Sequence, residues 1–148
     1  MYARILVPID GSAAGERGLA EAIALAKTLG SRLVLMHALE DFALMVELSS
    51  VQAYEETRQT LLANGRNLLA RAADKAQAAG VPCETVMNET STTRPAQTIL
   101  DEVRLQRCDL IVMGTHGRRG FARLTLGSDS EFVVRESLVP VLLVRRPE

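Results

Sequence analysis

The chain has 148 residues, 47% of them apolar and 24% charged, and its 17 basic and 18 acidic residues leave a net charge of −1. This composition excludes a disordered chain or a membrane protein, and the near-zero charge offers no general field for nucleic acid or anionic lipid. One domain over residues 1–148 is expected, long enough to bury a full core without staples.

The opening MYARILVPI lacks the layout of a signal peptide. No apolar run approaches the roughly 18 residues needed to span a bilayer, so a cytoplasmic location is expected. The run RILVPI (4–9) reads as a first strand. After it Leu19, Ala22, Ile23, Ala26 and Leu29 recur at three- and four-residue spacing, a helical stripe that ends at Gly30. RLVLMHAL (32–39) reads as the second strand, and a looser segment, EDFALMVELSS, follows it. A long helix comes next, with Leu62, Leu69, Ala72, Ala73 and Ala76 on one face and Gly80 closing it. CETVMNE (83–89) is a third strand whose polar–apolar alternation fits a sheet edge. Pro95 suits the first turn of a third helix, with Ala96, Ile99, Leu100 and Val103 as its buried stripe. DLIVMG (109–114) is the fourth strand, residues 128–138 the fourth helix and PVLLVRR (140–146) the fifth strand. Cys83 and Cys108 have no metal or redox spacing and read as small buried apolar groups.

Strands separated by helices imply right-handed crossovers and a parallel sheet, so the fold expected is a single doubly wound, Rossmann-like α/β sandwich of five strands and four helices. Ligands of such sheets bind at the carboxyl ends of the strands, where the strand order reverses. Attention therefore falls on IDGS after the first strand, HALE after the second and GTHGRRGFARLTLGS (114–128) after the fourth. The last holds four of the chain's ten glycines and three arginines, Arg118, Arg119 and Arg123, with no acid before Asp129. Glycines let consecutive N–H groups converge on one anion, and Gly127-Ser128 stands where a helix begins and its dipole favours negative charge. Two backbone nests beside a helix start suit a polyphosphate. Other phosphate motifs are absent: there is no G-x-x-x-x-G-K-[ST], no G-x-G-x-x-G in the turn DGSAAG, and no histidine pair of the H-x-G-H kind.

The spacing Gly114-x2-Gly117-x9-Gly127-Ser128 after DLIVMG, together with ILVPIDGS at the start and VPVLLVR at the end, resembles the ATP-binding branch of the universal stress protein family. The resemblance covers the whole chain. It implies a regulatory protein of the stress response that binds ATP, or ADP or AMP, and is no enzyme beyond slow hydrolysis. It implies an adenosine contact for Asp10 with Ile9 beside it, an adenine border at Ala38, a ribose wall at Met113 and Gly114, and phosphate contacts from Gly117, Gly127, Ser128 and Ser130. His116 and Arg118, inside the loop, stand between ligand contact and solvent.

Several of these positions have a purely structural reading. Asp10 can cap the first turn, His37 can be a satisfied residue at a strand end, and Met113 can be core. SDSE (128–131) has the pattern of a capping box, in which the Ser128 hydroxyl bonds the Glu131 N–H. Gly114 and Gly117 lie too far upstream for that explanation.

Two features depart from the family pattern. ATP-binding members usually carry a small apolar residue after G-[ST], where this chain has Asp129. Two unit charges roughly 5 Å apart repel by about 3 kcal/mol at an effective dielectric near 20, more than the 0.3–1 kcal/mol or so that a helix dipole returns to an acid. Asp129 thus turns away, or a Mg²⁺ ion lies between it and the phosphates, or binding is weak. The loop NETSTTRPAQ, after the third strand, has no glycine where the family often places one.

In a sheet of order 3-2-1-4-5 the fifth strand is an edge, yet Val141, Leu142, Leu143 and Val144 carry no charge to protect it. A homodimer paired through this strand would cover it, as the resemblance also implies. The alternative function is a homodimeric interaction module with a weak or vestigial nucleotide site.

Overall fold

A computed structural model describes residues 1–39, 50–89, 94–115 and 126–145. Its elements run β1 (Arg4–Pro8), α1 (Ala13–Leu29), β2 (Arg32–Ala38), α2 (Val51–Ala78), β3 (Cys83–Asn88), α3 (Pro95–Leu105), β4 (Leu110–Gly114), α4 (Ser128–Glu136) and β5 (Val141–Val144). The strands form one parallel sheet of order β3-β2-β1-β4-β5, as expected. The polar alternation of β3 and the weak protection of β5 both fall at edges.

Alternation along each strand sends side chains to opposite faces, and the two cores follow from it. Ile5, Val7, Leu33, Leu35, Leu110 and Val112 pack with Leu19, Ala22 and Ala26 of α1 and Leu69, Ala72 and Ala76 of α2. Leu6, Val34, Met36, Ile111 and Met113 pack on the other face with Ala96, Ile99, Leu100 and Val103 of α3 and Val133 of α4. The result is three layers, helix on sheet on helix. Each helix follows a strand, so all four begin at the sheet's carboxyl edge.

The ends differ from expectation in small ways. Leu29, on the buried stripe by its spacing, is 44% exposed. The fourth helix stops at Glu136 rather than residue 138: Ser137 turns extended and its hydroxyl donates to the Val139 carbonyl, which leads the chain into β5. Cys108 is buried as expected, whereas Cys83, on the edge strand, is only partly covered.

Candidate functional site

The carboxyl end of β1 is organised by its own side chains. Asp10 Oδ1 accepts from the Ser12 N–H at 2.8 Å and from its hydroxyl at 2.6 Å, while Ser12 Oγ accepts from the Gly15 N–H at 3.0 Å. Ser12 is therefore the N-cap of α1, and Asp10 holds the cap in place. Gly11, at φ 77°, makes the turn between them. Gly15 leaves room for the carboxylate, since a Cβ there would lie 2.5 Å from Asp10 Oδ1. The sequence reading passed over Gly15; its signal is the spacing D-G-S-x-x-G.

Ile9 is buried, its N–H donates to the Met36 carbonyl, and its own carbonyl lies 2.6 Å from His37 Nδ1. That geometry puts the proton on Nδ1, as donor to Ile9. His37 is thus a satisfied residue at the end of β2. Beyond it Ala38, half-buried, ends the strand.

Met113 is 7% exposed and its side chain joins the core under α3 and α4, so only its backbone faces the carboxyl edge. Gly114 has a packing reason of its own. A Cβ on it would lie 2.5 Å from the Ala14 carbonyl carbon and 2.6 Å from the Ala14 oxygen, so β4 and α1 can approach only where β4 has no side chain. Part of the glycine spacing is therefore dictated by helix packing, a reason separate from the capping pattern at Ser128.

A correction concerns Ser128. The N-cap of α4 is Gly127, and no side-chain cap bond is made; the first intrahelical bond runs from the Glu131 N–H to the Gly127 carbonyl at 2.9 Å. The capping box thus does not form, because Ser128 is already helical, one position too late to cap. The N–H groups of Ser128, Asp129 and Ser130 precede that first bond, as at any helix start. Gly127 is tied back to β4 by its N–H to the Thr115 carbonyl at 3.0 Å. Ser130 is buried, with its hydroxyl 3.1 Å from both the Gly114 and Thr115 carbonyls. These three bonds seat the start of α4 on the end of β4. His116, Gly117 and Arg118 lie outside the described residues.

Asp129 has a partner that the sequence did not suggest. Arg94, just before α3, places a guanidinium nitrogen 3.4 Å from Asp129 Oδ1 and 3.5 Å from the Ser128 carbonyl oxygen. Its guanidinium carbon stands 4.3 Å from the Phe132 ring centroid, a cation–π arrangement. Arg94 lies 34 residues upstream of Ser128 and outside any motif; the packing of α3 beside α4 brings it there.

A parallel doubly wound sheet with a glycine-started helix tied to its switch point defines a Rossmann-like α/β protein. More specifically, the chain belongs to the universal stress protein family, which matches residues 1–145. A universal stress protein from Thermus aquaticus is 37% identical over 145 residues, covering 98% of this chain and all of the relative. Protein MJ0577 of Methanocaldococcus jannaschii has the same fold, with a TM-score of 0.87 and 25% identity over 100% of this chain and 99% of its own. A family protein of Arabidopsis thaliana, solved with AMP bound, has a TM-score of 0.70 and 22% identity over 98% of this chain and 92% of its own.

Proposed function

We propose that residues 1–148 form an adenine-nucleotide-binding regulatory domain that takes ATP, ADP or AMP across the carboxyl ends of β1, β2 and β4 and acts in the cytoplasm in a stress response. The observation that carries this reading is the convergence of three elements. The Asp10–Ser12 turn, the bare backbone of Gly114 and the start of α4 at Gly127 all lie at the carboxyl edge, with β4 packed on α1 at Ala14 and joined to α4 by the Gly127–Thr115 bond, and the motif spacing suits a phosphate cradle there. AMP in the Arabidopsis relative agrees with it in ligand class.

The residues fit an anion at α4: no side chain stands at Gly127, and the first-turn N–H groups and the helix dipole favour negative charge. Ser128, with no capping duty, has its hydroxyl available to that anion. For the adenosine half, Ile9, Asp10 and Ala38 border the same edge, and Met113 contributes backbone rather than a wall. His116, Gly117 and Arg118 complete the loop in this proposal. For Mg²⁺ the fit is poorer. The Asp129 carboxylate already has a cation in Arg94, and among the described residues no group of three His, Cys, Asp or Glu could hold a metal. Any Mg²⁺ would arrive on the nucleotide's own phosphates.

Catalysis is not part of the proposal. The Ser12 hydroxyl that donates to Asp10 Oδ1 is itself the acceptor for the Gly15 N–H, so this pair serves the cap of α1. Mass spectrometry of nucleotide released from freshly purified protein tests the reading, together with the melting temperature in millimolar ATP. Copurifying adenine nucleotide, or a rise in melting temperature, is expected. No nucleotide and no rise would leave the second reading.

That second reading, a homodimeric interaction module with a weak or vestigial site, is favoured by one observation. β5 pairs only with β4 among the described residues, and Leu142 on it is 41% exposed. A second copy paired along β5 would cover it, and the two readings are compatible.

A further inference from the structure

Asp129 should repel the ligand that the start of α4 is proposed to bind, and the structure supplies the group that answers it. Arg94 reaches Asp129 from the N-cap of a different helix, at the same sheet edge, and its side chain is 46% exposed. Its two polar contacts are long, at 3.4 and 3.5 Å, which makes them weak hydrogen bonds. Its guanidinium carbon lies 4.3 Å from the Phe132 ring centroid, and the long contacts leave its head able to turn toward a further acceptor. A guanidinium carries five N–H donors and stays charged at any relevant pH, so it can serve a carboxylate and a phosphate together.

We propose that Arg94 is the counter-ion that keeps the start of α4 receptive to phosphate despite Asp129, and thereby sets the preference for phosphorylated adenine nucleotides over adenosine. This rests on the nucleotide-binding reading above. The guanidinium bridges the Asp129 carboxylate and a phosphate oxygen, which takes the place that a bridging metal would otherwise fill. Arg94 is a specificity residue: it acts on the charged end of the ligand and leaves the adenosine end alone.

Titration calorimetry of the full chain with ATP, AMP and adenosine tests this, using wild type, Arg94→Gln, Asp129→Asn and the double variant. Arg94→Gln should lower ATP and AMP affinity by about tenfold to a hundredfold, the range for a lost charge-assisted hydrogen bond, with adenosine affinity moved less than about twofold. In the double variant part of that loss should return, because the unopposed carboxylate goes with its partner while the direct contact to phosphate stays absent. A merely structural role would weaken all three ligands alike and show no rescue. Wild type that binds nucleotide, with an ATP-to-adenosine ratio unmoved by Arg94→Gln, overturns this inference alone. Wild type that binds neither nucleotide nor adenosine overturns it together with the reading it rests on.

Discussion

Gly114 of β4 and Ala14 of α1 are in close backbone approach: a Cβ on Gly114 would lie 2.5 Å from the Ala14 carbonyl carbon and 2.8 Å from the Ala14 Cβ. Gly18, one turn further on, repeats the contact from the helix side, where a Cβ would meet the Gly114 nitrogen at 3.1 Å. Backbone atoms cannot swing away as a side-chain tip can. Gly114→Ala should therefore cost stability by about 1–3 kcal/mol through overpacking, with no ligand present. Urea denaturation of the unliganded protein checks it, and an unchanged midpoint would mean that Gly114 answers to ligand alone.

Ser12 and Asp10 share the same internal bonds, so paired substitutions separate capping from binding. Ser12→Ala removes the cap of α1 and should cost about 1 kcal/mol, with nucleotide affinity within about threefold of wild type. Asp10→Ala should cost similar stability and, in addition, about tenfold in nucleotide affinity, as a lost hydrogen bond to a charged group would. Equal affinities for the two variants would reduce Asp10 to a support of the turn.

Gly65, buried in α2, makes room for His37. A Cβ there would come 2.6 Å from His37 Cδ2 and 2.7 Å from Met87 Cε. The methionine tip can yield, but the ring is held by its bond to the Ile9 carbonyl. Helix propensity favours Gly65→Ala by about 1 kcal/mol, and overpacking of about 1–3 kcal/mol opposes it. Net destabilisation is expected, read as a lower thermal midpoint; a higher one would show that the ring moves easily.

Cys108 gives the fold a pH dependence at the alkaline end. Burial, partly offset by the Arg4 charge, pushes its thiol up from 9.0 to about 11. The folded state thus prefers the neutral thiol. That preference is fully present below pH 9 and disappears as the pH rises through about 11. Wild type should lose stability across this window more steeply than Cys108→Ala, in denaturation curves at matched pH. Parallel slopes would count against it.

Leu142 tests the proposed dimer. Leu142→Lys places a charge on the exposed side of β5 and should convert the dimer to monomer at micromolar concentration in sedimentation velocity, with little effect on the fold. A wild type that sediments as a monomer would remove the dimer itself.

Much of the architecture was legible because it depends on local pattern. The stripe of Ala96, Ile99, Leu100 and Val103 has helical spacing, and the strand runs are short and apolar. Crossover handedness then leaves few ways to assemble them. The sheet order follows from the same rules and from the family resemblance, as does the proposed position of the site at the carboxyl edge. Helix ends were less legible, since one residue decides them: SDSE has the letters of a capping box, yet the N-cap falls one position earlier, at Gly127, and Ser128 is the first helical residue.

Sequence alone determined the parallel α/β fold and the family, because periodicity and spacing are properties of neighbouring residues. The tertiary structure decided what Gly114, Asp129 and His37 touch. Gly114 meets Ala14 a hundred positions upstream, Asp129 meets Arg94 thirty-five positions upstream, and His37 meets Ile9 across two strands. No local pattern encodes such meetings. They exist because the sheet brings the starts of its helices to one edge, where charges and bare backbone from distant segments come within bonding reach.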